Sequence, residues 1–121
     1  MPYRLAAKES VGYYATWTLG PGLDPSVDIA SWVFKATFER FAGDPQAFTL
    51  NMASTTGGEG FRIWDGPGHR ITCRILAATL AAISDTTGQF LMTADLLATP
   101  PSAARFFVAD LELTVLRGPT A

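Results

Sequence analysis

Hydrophobic and polar residues alternate along most of this chain with a period of two, the spacing that sends successive side chains to opposite faces of a β-strand. The clearest stretch runs from Trp32 to Arg40, where Trp32, Phe34, Ala36 and Phe38 fall on one side and Val33, Lys35, Thr37 and Glu39 on the other. Tyr13, Ala15, Trp17 and Leu19 alternate in the same way with Tyr14, Thr16 and Thr18. Phe48, Leu50 and Met52 alternate with Thr49 and Asn51, Phe61 and Ile63 flank Arg62, and Ile71, Cys73 and Ile75 alternate with Thr72 and Arg74. The stretch from Phe90 to Leu97 is apolar on both faces apart from Thr93 and Asp95. Last, Phe107, Ala109, Leu111, Leu113 and Val115 oppose Phe106, Val108, Asp110, Glu112 and Thr114.

These segments predict seven strands. Between them lies turn chemistry: Gly20-Pro21-Gly22, Gly43-Asp44-Pro45, Gly57-Gly58, Asp65-Gly66-Pro67-Gly68, Thr87-Gly88 and Pro100-Pro101-Ser102. Short strands separated in this manner predict an all-β sandwich or barrel. One segment departs from the period. Ala77 to Ile83 consists largely of strong helix formers and predicts a short helical turn crossing between sheets. Pro21 to Ala30 reads as a surface loop with Ile29 tucked under the sandwich edge. Residues 1–10 read as an N-terminal arm, 11–116 as the sandwich domain, and 117–121 as a flexible C-terminal tail.

A length of 121 residues fits one domain. Hydrophobic residues make up 48% and charged residues only 17%, which excludes a disordered chain and suggests surface buried against a partner. The net charge is −2, and the nine Lys and Arg residues are scattered with no basic run, so the sequence predicts no nucleic-acid partner. The apolar stretch from Ile75 to Ile83 is too short to span a bilayer, and the first residues lack the layout of a signal peptide. A chain made in the cytoplasm, with no membrane span, is the expectation. The single cysteine, Cys73, cannot staple the fold and reads as a small buried hydrophobe.

Little in the sequence can be assembled into catalytic machinery. His69, the one histidine, sits in a glycine-rich turn without a recognisable nucleophile and reads as an exposed loop residue. One His and one Cys do not make a zinc site, and Asp24 and Asp28 lack calcium-loop spacing, so no metal or other cofactor is expected. Asp110 and Glu112, with Asp95 on the preceding strand, could form a carboxylate pair of the kind glycosidases use, but they read as a solvent-facing polar stripe. Gly57-Gly58-Glu59-Gly60 precedes a strand and lacks the lysine of a phosphate loop. Among the aromatics, Trp32 falls in register with core positions, whereas Tyr14 and Trp64 are the candidates for exposure, as a sugar-stacking surface would require. The chain is therefore expected to act as a binding or structural module and not as an enzyme.

A longer pattern links these pieces. It comprises Asp28-Ile29-Ala30-Ser31-Trp32-Val33-Phe34-Lys35-Ala36, then the turn at Asp65-Gly66 leading into Ile71-Thr72-Cys73-Arg74-Ile75-Leu76-Ala77-Ala78-Thr79. Gly88-Gln89-Phe90-Leu91-Met92-Thr93-Ala94-Asp95-Leu96 and Leu111-Glu112-Leu113-Thr114-Val115 complete it. Over residues 11–116 this resembles the immunoglobulin-like β-sandwich of tailed-phage virion proteins and is similar to the N-terminal domain of the phage baseplate upper protein family. It departs from that family in a strand after Gly88 richer in Leu and Met than the usual tyrosine-rich one, and in having no receptor-binding or fibre region appended. The resemblance implies an immunoglobulin-like sandwich of about seven antiparallel strands. It further implies a virion structural protein of the tail tip, baseplate or fibre attachment, built as a free-standing adaptor or decorating subunit. Head decoration, or carbohydrate or host-surface binding, are the alternatives. Its partners would be other virion structural proteins, in a homo-oligomeric or symmetric assembly such as a trimer or hexamer. Contacts would come from Tyr3, Arg4 and Leu5 in the arm, Arg117 in the tail, and the exposed Tyr14 and Trp64.

Overall fold

The computed structural model describes residues 3–19, 26–55, 57–83 and 89–116. In chain order the elements are β1 (Tyr3–Lys8), β2 (Tyr13–Thr18), β3 (Val33–Phe38), β4 (Phe48–Leu50), β5 (Gly60–Asp65), β6 (Arg70–Ile75), α1 (Ala77–Ala81), β7 (Gln89–Thr99) and β8 (Phe106–Leu116). They build two sheets, one ordered β1-β8-β7-β3-β4 and the other β2-β6-β5. This is an all-β sandwich of the immunoglobulin-like kind.

The alternating pattern sets the core. Phe34, Ala36 and Phe38 from β3, Met92 and Leu96 from β7, and Leu111, Leu113 and Val115 from β8 point inward and are fully buried. Phe61 from β5 and Ile71, Cys73 and Ile75 from β6 meet them from the smaller sheet. Ile29 is fully buried from its loop, and α1 contributes Leu80. No side chain of its own caps that helix. Instead the Glu59 carboxylate accepts hydrogen bonds from the Leu76 amide and the Thr79 hydroxyl, tying the helix to the start of β5.

One long side of the sandwich is closed by a strand that changes sheets. Phe48–Leu50 pair with β3, and the next residues turn to β5. There the Phe61 amide donates to Asn51 O at 2.9 Å and the Ala53 amide to Phe61 O at 2.8 Å. The approach is so close that a Cβ on Gly60, whose φ is +125°, would lie 2.2 Å from Asn51 O. Met52, between them, accepts the Phe34 amide on its sulfur at 3.3 Å.

Three features differ from the sequence reading. Tyr3–Lys8, in the segment read as an arm, forms an eighth strand, paired parallel to β8 from Tyr3↔Leu111 to Lys8↔Leu116. Only Leu5 and Ala7 of that strand are buried apolar residues, too little to show as a period. The β7–β8 register shifts between Leu96 and Leu97, and at that bulge the alternation along β8 lapses, with Val108 and Ala109 both half-buried. Phe106 packs edge-on against Trp32 at 5.5 Å, yet both it and Phe107 are exposed, whereas strict alternation puts Phe107 on the inward face. Finally, His69 is buried, not exposed. It adopts a positive φ of 58°, and its Nε2 lies 2.5 Å from Val27 O. A carbonyl can only accept, so Nε2 carries the proton and fastens the loop before β3 onto the β5–β6 turn.

The turn after β3 is held by an ion pair of high geometric quality. Arg40 Nε and Nη2 each donate to the Asp44 carboxylate at 2.8 Å, and the amides of Arg40 and Gln46 add bonds at 2.9 Å. The hydrogen-bonding Arg40 side chain is the chief cause holding the Asp44 carboxyl far below its ordinary value, and the two amides add to it against the opposing effect of burial. A carboxyl acidified by folding stabilises the native state above the ordinary carboxylate value of 3.8 and loses that contribution as the pH falls below it. Asp44→Asn is therefore expected to lower the urea midpoint clearly at neutral pH. The gap to the wild type should narrow steadily as the pH is taken down from 3.8, as read by circular dichroism.

Candidate functional site

The outer face of the three-stranded sheet is built from the polar positions of β2, β6 and β5. Registered rows place Tyr14 beside Arg74 and Arg74 beside Gly60, then Thr16 beside Thr72 and Thr72 beside Arg62, then Thr18 beside Arg70. Trp64 follows Arg62 along β5, where the pairing shifts between Ile63 and Asp65. Two aromatic rings stand well out of the surface, Tyr14 at 58% and Trp64 at 62% exposure. Each carries a guanidinium: Arg74 lies 4.3 Å from the Tyr14 ring centroid, and Arg70 lies 5.5 Å from that of Trp64. A groove of about 400 Å³ runs between Tyr14 and Trp64, floored by Thr72 and opened on the β5 side by Gly57, Gly58 and Gly60.

The charge on this face is unbalanced. Among the described residues, none of Arg62, Arg70 and Arg74 forms an ion pair; the two ion pairs there are Arg4–Glu112 and Arg40–Asp44. Three cations without an ion pair, two of them resting on aromatic rings, therefore mark one face of a chain whose net charge is −2. The stacking pre-orders the Arg70 and Arg74 guanidinia while leaving their N–H edges available to a planar anion.

Tyr14 and Trp64 are thus brought together, and the other candidate contact residues are not. Tyr3 is half-buried, stacked on Trp17 at 5.6 Å, with its hydroxyl donating to Thr18 O at 3.1 Å. Leu5 is buried in the core, and Arg4 is exposed on the far sheet, 3.5 Å from Glu112. Arg117 lies outside the described residues. The three arginines were missed because they sit at positions 62, 70 and 74, and no run of basic residues betrays them. The available signal was their phase: all three occupy outward positions of two strands joined by a tight turn.

The remaining groups have structural roles. Trp17 is buried and its Nε1 donates to the Tyr13 hydroxyl at 3.0 Å, while burial raises the Tyr13 phenol. Burial, with a smaller contribution from Glu59, pushes the Cys73 thiol up to about 12. The outer face of the larger sheet holds a second concavity, about 610 Å³, where Glu39, Asp95, Asp110 and Glu112 gather with Lys35 and Arg105. No helix among the described residues is long and apolar enough to cross a membrane.

No family model and no curated protein matches this chain. Solved structures do match. Among them is the crystal structure of the periplasmic chaperone SfaE, with a TM-score of 0.53 and 15% identity. The match covers 98% of this chain and 56% of that one, so this chain spans little more than half of its length. At that identity the likeness establishes the fold class, an immunoglobulin-like sandwich. It also overturns the virion role expected from the baseplate resemblance, whether as tail-tip, baseplate or fibre-attachment adaptor or as a head-decoration protein. The structural likeness is to a chaperone, and nothing in the comparisons supports a phage baseplate domain.

Two measurements check the site. Cys73 should stay unlabelled by a thiol reagent in the native protein near neutral pH and react only on unfolding in urea, because the thiolate is both disfavoured and inaccessible. Iodide should quench one population of tryptophan fluorescence strongly, and Trp64→Phe should remove most of that quenchable signal, leaving the buried Trp17 and the half-buried Trp32.

Proposed function

We propose that this chain is a polypeptide-binding module of chaperone-like immunoglobulin fold, acting by docking and not by catalysis, with the outer face of the β2-β6-β5 sheet as its contact surface. The observation that carries this reading is the set of unpaired arginines interleaved with exposed rings. Arginine, tyrosine and tryptophan are the side chains that dominate protein-binding energetics, because each buries a large area and still offers a directed polar contact. A carboxylate-bearing chain laid across the groove would satisfy Arg62 and Arg74 while its apolar groups met Tyr14 and Trp64.

A polypeptide fits better than a nucleic acid. Nucleic-acid affinity comes largely from neutralising many backbone phosphates, and this face supplies three cations on an acidic protein. The description of the structural neighbour as a chaperone lends support from a separate direction.

The test is fluorescence anisotropy with a labelled peptide rich in Glu and Phe, alongside a matched peptide in which Lys replaces Glu. The acidic peptide should bind in a salt-sensitive way and the basic one should not. Arg62→Glu combined with Arg74→Glu should weaken binding on the order of tenfold or more, as expected for lost charge complementarity. Equal binding of both peptides, or no effect of the double variant, would rule the reading out.

A further inference from the structure

We propose that the acidic partner of the arginine face is a second copy of this chain, docking head to tail through the carboxylate-lined outer face of its five-stranded sheet. This rests on the polypeptide-binding reading above and goes further by naming the partner surface.

The arginine face of the smaller sheet has a counterpart in a local cluster of carboxylates in the middle of the larger sheet's outer face, bordered by Arg4, Lys8, Lys35 and Arg105. On the larger sheet, Asp95 is the direct register partner of Asp110, and both are exposed. Like charges set opposite each other on a sheet face are destabilising. The neighbouring row extends the problem, since Thr93 is flanked by Glu39, just past the end of β3, and Glu112 on β8. The chain's own cations relieve little of this. Arg4 reaches only Glu112, and Lys35 and Arg105 line the concavity without forming an ion pair with Glu39, Asp95 or Asp110. A guanidinium inserted between Asp95 and Asp110 would turn the repulsion into a pair of charge-assisted hydrogen bonds. A metal ion is the weaker occupant, because no group of three or more metal-ligating side chains exists among the described residues.

The arginine face offers what this site lacks. Both surfaces are pleated sheets, so residues two apart along a strand repeat every ~7 Å on each, and sheets stacked face to face sit about 10 Å apart. Arginine rows and carboxylate rows therefore share one spacing. The concavity of about 610 Å³ leaves room for the guanidinium ends and the Trp64 ring. With a net charge of −2, two copies repel in most orientations and attract when these faces meet. Because the two patches differ, the contact is heterologous, leading to a ring or an open chain of subunits.

Sedimentation velocity on the full chain tests this. At low salt the weight-average sedimentation coefficient should rise with concentration, and high salt should return it to that of the monomer. Arg62→Glu/Arg74→Glu leaves both faces acidic, and Asp95→Lys/Asp110→Lys leaves both basic at those rows. Each should be monomeric alone, with circular dichroism unchanged, and the two mixed should form a one-to-one complex. A monomer at every concentration, association that ignores both variants, association that needs added calcium, or a mixture that stays apart overturns the proposal. If the wild type stays monomeric but its arginine face still binds the Glu-rich peptide, only the self-partner is wrong. If the peptide also ignores that face, the underlying reading falls with it.

Discussion

The close approach of Asn51 and Ala53 to Phe61 holds the sandwich together at the point where its surface chemistry begins. Two backbone hydrogen bonds there stitch one sheet to the other. They form only because Gly60 leaves the space that a Cβ would occupy. That stitch fixes β5, β5 fixes the phase of Arg62 and Trp64, and β6 lies beside them in register. The ring-and-guanidinium surface is thus a consequence of a main-chain contact on the sandwich flank. Its side chains stay exposed because the inward positions on the same strands, Phe61, Ile71, Cys73 and Ile75, are committed to the core.

Stability and recognition are kept apart in this molecule. The best-formed ion pair, Arg40 with Asp44, sits in a turn, where backbone amides complete the carboxylate's hydrogen bonds. It pins a loop and leaves no charge unsatisfied. Arg70 and Arg74 rest on aromatic faces, and neither they nor Arg62 forms an ion pair among the described residues. A guanidinium resting on a ring is weakly hydrated and already positioned, so less ordering is needed when an anion arrives. The same residue type serves rigidity in one place and availability in another, and the difference lies in whether a carboxylate is within reach.

Much of the architecture can be read from alternation. β3 and β6 announce themselves because their inward residues are large and their outward ones polar, and the alanine-rich run at α1 stands out against the β-branched residues around it. β1 stays hidden because Leu5 and Ala7 become core residues only when β8 lies beside them. Phe107 is misassigned to the core because a bulge, which leaves no local mark, interrupts the alternation there. His69 is misread because its burial depends on Val27, far away in the chain. The arginine surface is spread over two strands, and a search for basic runs passes over it. The baseplate resemblance captured the sandwich but not the role, since strand patterns specify a fold that many functions share.

The parallel pairing of β1 with β8 joins Tyr3 to Leu111. This ladder closes nearly the whole described chain into one loop, and loop closure of that size is slow to find and entropically costly. During synthesis β1 leaves the ribosome long before its partner exists, with Leu5 and Ala7 unburied and its main-chain edge unpaired. Assembly of the larger sheet from that side has to wait for β8. Until then the growing polypeptide carries an open strand, the kind of segment that other nascent chains can capture.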